Sequence, residues 1–182
     1  MKDYCAECAM RLFNEKGHKL EGIGNPCSGN LIIIPNVDYI AYKKHNMKFS
    51  SYVDVILSEL SFTGGLENLY IIPYIRCNDL GCPVTEDIEI RCSYYLKEDF
   101  KKYEFTNILV LGNVVTKFLG RSIKDLNNTI IVSKNNRFYA ATYSPFIKFI
   151  DKDKYEQFKK DIKRWYNCIE NNCYFNYNIV YD

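Results

Sequence analysis

Three continuous apolar runs limit the folds open to this chain. Leu31-Ile32-Ile33-Ile34 stops at Pro35-Asn36, Leu69-Tyr70-Ile71-Ile72 meets Pro73, and Asn107-Ile108-Leu109-Val110-Leu111 runs into Gly112. A strand with one wet face alternates apolar and polar residues, whereas an unbroken run needs apolar cover on both faces. Helical patterns supply that cover. Val53, Ile56, Leu57 and Leu60 share a helix face after Ser50 or Ser51, either of which suits a cap. Thr85 to Leu96 and Asn113 to Leu119 predict two further helices. Tyr155, Phe158, Ile162, Trp165 and Ile169 mark the apolar stripe of a long last helix, with Lys159, Lys160, Lys163 and Arg164 around the rest. Thr129–Val132 and Tyr139–Tyr143 are additional strand candidates, and residues 5–30 read as a short helix followed by loop. Strands alternating with helices predict a three-layer α/β/α sandwich around a mainly parallel central sheet. Pro73 is expected to end regular pairing in its strand. Ligands in such sheets bind beyond the carboxyl ends of the strands, here Pro35–Tyr39, Pro73–Cys77, Gly112–Asn113 and Tyr143–Pro145.

With 182 residues the chain is expected to form a single domain over 1–182. Its 47% hydrophobic content is ample for a core and excludes disorder. Twenty-four basic residues against 22 acidic ones give a net charge of +2. That balance excludes a wholesale basic nucleic-acid wrapper but leaves room for a local basic patch. No apolar run approaches the roughly 18 residues of a membrane span, so no membrane partner is expected. Met1-Lys2-Asp3-Tyr4-Cys5 carries no apolar signal segment, which predicts a cytoplasmic protein. The abundance of Asn, Lys, Ile and Tyr points to an AT-rich genome, such as that of a low-GC bacterium or one of its phages.

Eight cysteines in such a chain need a reason. A secreted disulfide framework is expected to be shorter and loop-rich. Cys5 and Cys8 form a C-x2-C pair, Cys77 lies far downstream, and Cys92 follows it by about fifteen residues. A C-x2-C turn directs two thiolates at one metal, and two distant thiolates complete a four-sulfur shell. Zinc and a [4Fe–4S] cluster both accept that shell. Burial of free thiols is the competing explanation, at even weight.

The same spacing, with a series of ordered segments, resembles the iron–sulfur uracil-DNA glycosylases of family 4 over roughly residues 4–166. Gly22-Ile23-Gly24-Asn25-Pro26 resembles the family's G-x-G-N-P loop, and Lys48-Phe49-Ser50 falls where the family has P-F-V. Tyr70 to Cys77 resembles its strand ending in K-C, with Arg76 in place of Lys. Thr85 to Leu96 is similar to its C-x3-L helix, and Leu109 to Gly120 to its V-L-L-G…L-L-G segment. Ser122-Ile123-Lys124-Asp125-Leu126 is similar to S-I-T-K-L, and Ala141-Thr142-Tyr143-Ser144-Pro145 to the T-Y-H-P element. The resemblance implies the family's three-layer fold and a [4Fe–4S] cluster on Cys5, Cys8, Cys77 and Cys92, with residues 1–30 as an N-terminal cluster-binding segment. Cys27, Cys82, Cys168 and Cys173 have no place in the pattern. A second small site or redox pair at Cys168 and Cys173 is the lesser expectation, and idle thiols the default.

Family members flip uracil from DNA, stack it on an aromatic ring, read its edge with an Asn, activate water with a Glu and stabilise the departing base with a His. Carried over residue by residue, the stacking ring matches Phe49, for which an ordinary core role weighs equally. The Glu position falls on Asn36, or on Pro35 by a different count, and Asn36 can hold a water but cannot take its proton. Asp38 is the one carboxylate of that turn, where a cap role is the more usual one. The uracil-reading position holds Pro73, and Ser144 replaces the His. His18 and His45 lie outside the catalytic segments. With base, reader and anion donor all replaced, ordinary uracil excision is not expected.

DNA contact is expected from Lys117, Arg121 and Lys124, with Tyr143 available for stacking; Lys43, Lys44, Lys48, Lys134, Arg137, Lys148 and Tyr139 flank the same loops. The tail 168–182, with Tyr174-Phe175-Asn176-Tyr177, packs on the domain or docks a partner. The leading expectation is an iron–sulfur DNA-binding protein of the uracil-DNA glycosylase superfamily without ordinary excision, acting in replication or repair on single- or double-stranded DNA. The alternatives are an active glycosylase with altered residues or base specificity, using Asp38 or Asn36, and a non-catalytic protein-interaction module.

Overall fold

The computed structural model describes residues 4–6, 8–10, 19–60, 65–78, 81, 83–171 and 177–181. Among the described residues seven strands form one sheet in the order β1-β3-β2-β4-β6-β5-β7. They are β1 (Ile23–Gly24), β2 (Asn30–Asn36), β3 (Tyr70–Ile75), β4 (Asn107–Leu111), β5 (Thr129–Val132), β6 (Phe138–Thr142) and β7 (Asn178–Tyr181). The central strands β3, β2, β4 and β6 are mutually parallel, while β1 pairs antiparallel with β3 and β5 antiparallel with β6. β7 adds on in parallel to β5. Five helices lie wholly within the described residues: α1 (Tyr39–Lys44), α2 (Ser51–Glu59), α3 (Glu86–Lys102), α4 (Val114–Leu119) and α5 (Lys152–Asn171). The expected three-layer, mainly parallel α/β architecture is the one the chain adopts.

The apolar runs divide by parity. Ile32 and Ile34 join Tyr52, Val53 and Ile56 of α2 and Phe158, Ile162 and Trp165 of α5 in one core. Leu31 and Ile33 join Ile88, Cys92 and Leu96 of α3 and Val114 and Val115 of α4 in the other. All four residues of the first run are fully buried. Ser50 is the cap of α2, its Oγ accepting from the Tyr52 N–H at 3.2 Å.

Pro73 does not end its strand. β3 continues to Ile75, with Pro73 opposite Ile34. β1 reaches only Tyr70 and Ile71, so at Pro73 β3 is an edge strand, where a missing N–H is tolerated. The short strand β1 falls in the stretch read as loop and β7 in the tail, and α1 follows the Pro35–Tyr39 turn where no helix was expected. Each is too brief to show a period of its own and forms against partners distant in the chain.

Gly112 turns the chain out of β4 with φ 68°, in the left-handed region. A Cβ there would lie 3.0 Å from the Ser144 Cβ and 3.2 Å from the Pro35 Cγ. The absent side chain thus lets the ends of β2, β4 and β6 converge. Gly112→Ala should lower stability by about 2 kcal/mol, combining left-handed strain with this crowding. A urea midpoint equal to that of the unaltered protein would refute the close approach.

Candidate functional site

At the carboxyl ends of β2, β3 and β4 lies a cleft of about 220 Å³ lined by Asn36, Tyr74, Glu89, Asn113 and Lys117, among others. Asn36 closes β2, and its Oδ1 accepts from the Tyr52 hydroxyl at 3.3 Å. Asn113 follows the Gly112 turn at the head of α4. Glu89 enters from the first turn of α3 and is ion-paired with Lys117 of α4. Sequence reasoning missed Glu89, one of three acidic residues in that turn, because only the packing of α3 selects which of them faces the sheet.

The expected site residues scatter around this cleft. Asp38 is the N-cap of α1: its Oδ1 accepts from the Ile40 and Ala41 N–H groups, each at 3.1 Å. Its Oδ2 accepts from the Ser51 N–H at 3.0 Å and from the Ser50 hydroxyl. Four donors on one carboxylate lash α1 to α2 and engage both of its oxygens. Phe49 ends the 3-10 turn Met47–Phe49 and is 46% exposed, so it is a surface ring and not a core residue. Tyr39 and Ile40, beside the Asp38 link, are more exposed still. Pro73 is buried within β3 and does not line the cleft. Ser144 packs on Gly112 and caps the 3-10 turn Pro145–Phe149, accepting from the Phe146 N–H at 3.4 Å.

A second cavity, of about 270 Å³, opens at the end of β6. It is lined by Lys124 and Tyr143 together with Lys154 and Asp161. Lys117 belongs to the first cleft instead, so Lys117 and Lys124 serve separate cavities, and Arg121 lies in the connection just past α4. Asp161 is buried on α5; its Oδ2 accepts from the Thr142 hydroxyl and its Oδ1 from the Gln157 amide, both at 2.7 Å. Burial nevertheless raises the Asp161 carboxyl above the ordinary carboxylate range.

The four motif cysteines lie on the α3 side of the sheet. The Cys8 N–H donates to the Cys5 carbonyl at 3.1 Å, closing the C-x2-C turn. The Tyr95 hydroxyl of α3 donates to the Cys5 sulfur at 3.4 Å. Burial pushes the Cys92 thiol up to about 11; the nearby Cys5 and Cys8 sulfurs push the same way, while the Arg76 N–H opposes by donating to it. Cys77, just past β3, packs half-buried against the same core as Cys8 and Cys92. Among the described residues no three His, Cys, Asp or Glu side chains are grouped closely enough to hold a metal ion. In kind, the donors fit a thiolate-held metal: four thiols in one layer, with an N–H already aimed at one sulfur. Loading would release protons from buried thiols.

Beside this centre Arg76 is 1% exposed, ion-paired with Asp99 and 3.9 Å from Glu21. Cys27 is exposed, Cys168 is buried in α5, and His45 is the left-handed C-cap of α1. His18, Cys82, Cys173 and residues 174–176 lie outside the described residues. No helix among the described residues is long and apolar enough to cross a membrane.

The chain matches no family model and no curated protein. The geometry above therefore carries the functional argument.

Two outcomes follow from the buried charges. Asp99→Asn should cost of order 3 kcal/mol, because a buried guanidinium loses its closest carboxylate; an unchanged urea midpoint would count against that pairing. Asp161 binds its proton more tightly folded than unfolded, so its contribution is full below about pH 4 and is lost as pH rises through the folded value. Asp161→Asn should thus gain relative to the unaltered protein as pH climbs from about 4 towards neutrality. Parallel stability curves would refute the raised carboxyl.

Proposed function

We propose that this chain is a metal-carrying DNA-binding protein of the uracil-DNA glycosylase type that does not excise uracil by the family's ordinary route. The observation that carries this reading is the state of the carboxylates at the strand ends. Asp38 is consumed as a cap and Glu89 is held in an ion pair, so neither stands free to activate water. A positioned general base contributes about 10²–10⁴-fold and an anion-stabilising donor about 10²–10³-fold. The cleft offers the amides of Asn36 and Asn113 and the ammonium of Lys117, which suit hydrogen bonding to a base or phosphate. Cys5, Cys8, Cys77 and Cys92 would hold the metal, a [4Fe–4S] cluster by resemblance and zinc as the alternative. Either would tie the N-terminal turn to β3 and α3. Exposed Phe149 and Ile150, beyond β6, offer a replication or repair protein an apolar contact.

A second reading, an altered glycosylase, is favoured by Glu89 itself. It places a carboxylate in the same cleft as Asn36, and release of Lys117 on binding DNA would free it.

Anaerobically purified protein should carry about four irons and four acid-labile sulfides per chain, the composition of a [4Fe–4S] cluster. Stoichiometric zinc without sulfide would replace the cluster in this proposal. Uracil-containing single- and double-stranded DNA should bind, with affinity falling steeply as salt rises, yet show no alkali-labile sites. Cleavage that Glu89→Gln abolishes would establish the second reading in its place.

A further inference from the structure

The largest of these cavities borders the first strand-end cleft and is separate from the cavity beyond β6. A groove of about 690 Å³ runs between α3 and α4 over the sheet. Phe100, Phe118 and Tyr139 form a connected aromatic wall, with ring centroids 6.1 and 6.0 Å apart. All three rings are only partly buried. Lys97, Lys101 and Arg137 line the same groove, and no acidic side chain does. Among the described residues none of these three cations is in an ion pair, and the Arg137 guanidinium lies 4.9 Å over the Phe100 ring. The groove also touches Tyr74 and Lys117, both of which line the strand-end cleft, so the two adjoin at these side chains.

Unpaired cations beside partly open rings suit a polyanion that carries flat bases. A protein partner would need carboxylates for the cations and a reason for the row of rings; a nucleic-acid strand supplies both at every nucleotide. A duplex keeps its bases stacked inside, out of reach of a wall of rings. We propose that the α3–α4 groove binds a single-stranded nucleic-acid segment, its bases against Phe100, Phe118 and Tyr139 and its phosphates at Lys97, Lys101 and Arg137. This deepens the DNA-binding reading and rests on it. A strand whose one end enters the cleft through the Tyr74–Lys117 junction would then lie along the groove.

The test uses the full chain and a fluorescent oligothymidylate, titrated by anisotropy over a range of salt. Lys97→Gln, Lys101→Gln and Arg137→Gln together should weaken binding at least tenfold and flatten the slope of log affinity against log salt by about 2, as expected for three lost phosphate contacts on a single strand. Phe118→Leu, which keeps an apolar side chain, should weaken binding about tenfold with the salt slope unchanged. Circular dichroism and urea midpoints confirm that each variant is folded. Lys124→Gln with Lys154→Gln, in the cavity beyond β6, serves as the comparison. If those two abolish binding while the groove variants bind normally, the groove proposal fails and the broader reading stands. If the unaltered protein binds no oligonucleotide at low salt, both fail. Inorganic polyphosphate competing as well as the oligonucleotide, phosphate for phosphate, would also overturn the stacking role.

Discussion

Burial of β2 from both sides governs the rest of the molecule. Leu31 to Ile34 sit in the middle of the sheet with no exposure, each side chain contributing about 1.5–3 kcal/mol through removal from water. Such a strand cannot exist without helices on both faces, so α2 and α5 on one side and α3 and α4 on the other are obligatory partners. Parallel neighbours in turn require crossover connections. Those connections bring the turns after β2, β4 and β6 to one end of the sheet, where Gly112 lets them close up. The cleft is a product of that convergence.

Charge is handled differently at each buried or half-buried position. The Asp38 carboxylate is saturated by donors and acts as a joint between two helices. Glu89 is matched by a partly exposed lysine, a pairing that solvent and salt can loosen. Asp161 is buried with neutral donors, and burial decides its proton affinity. Arg76 sits deepest and depends on Asp99, while its own N–H serves a cysteine. The side of the sheet that holds the cysteines is thus also the side that holds the most deeply buried cation.

Much of this was legible in the residues. Apolar runs reveal doubly buried strands because no other environment tolerates them, and the stripe from Tyr155 to Ile169 announced α5. Boundaries shifted where local preference met tertiary pairing: β3 passes through Pro73 because its neighbour β1 has already ended. The site was less legible. Glu89 and Asn113 carry no pattern that marks them, and they meet Asn36 only because α3 and α4 settle on the same face. The aromatic wall of the groove was invisible for the same reason, since Phe100, Phe118 and Tyr139 come from three elements. The cysteine spacing, in contrast, could be read directly, because a C-x2-C turn is local.

The position of β7 has a consequence for how the protein is made. β5 lies between β6 and β7, and β7 comes after the whole of α5 in the chain. On the ribosome, synthesis proceeds at about 5–20 residues per second, so β5 must wait seconds for its outer neighbour. During that interval its outer edge presents unpaired backbone groups, in the midst of a nascent chain rich in isoleucine and tyrosine. The capture of this short strand by an edge already formed is therefore a late step, and crowding by other nascent chains would tax this protein most at that moment.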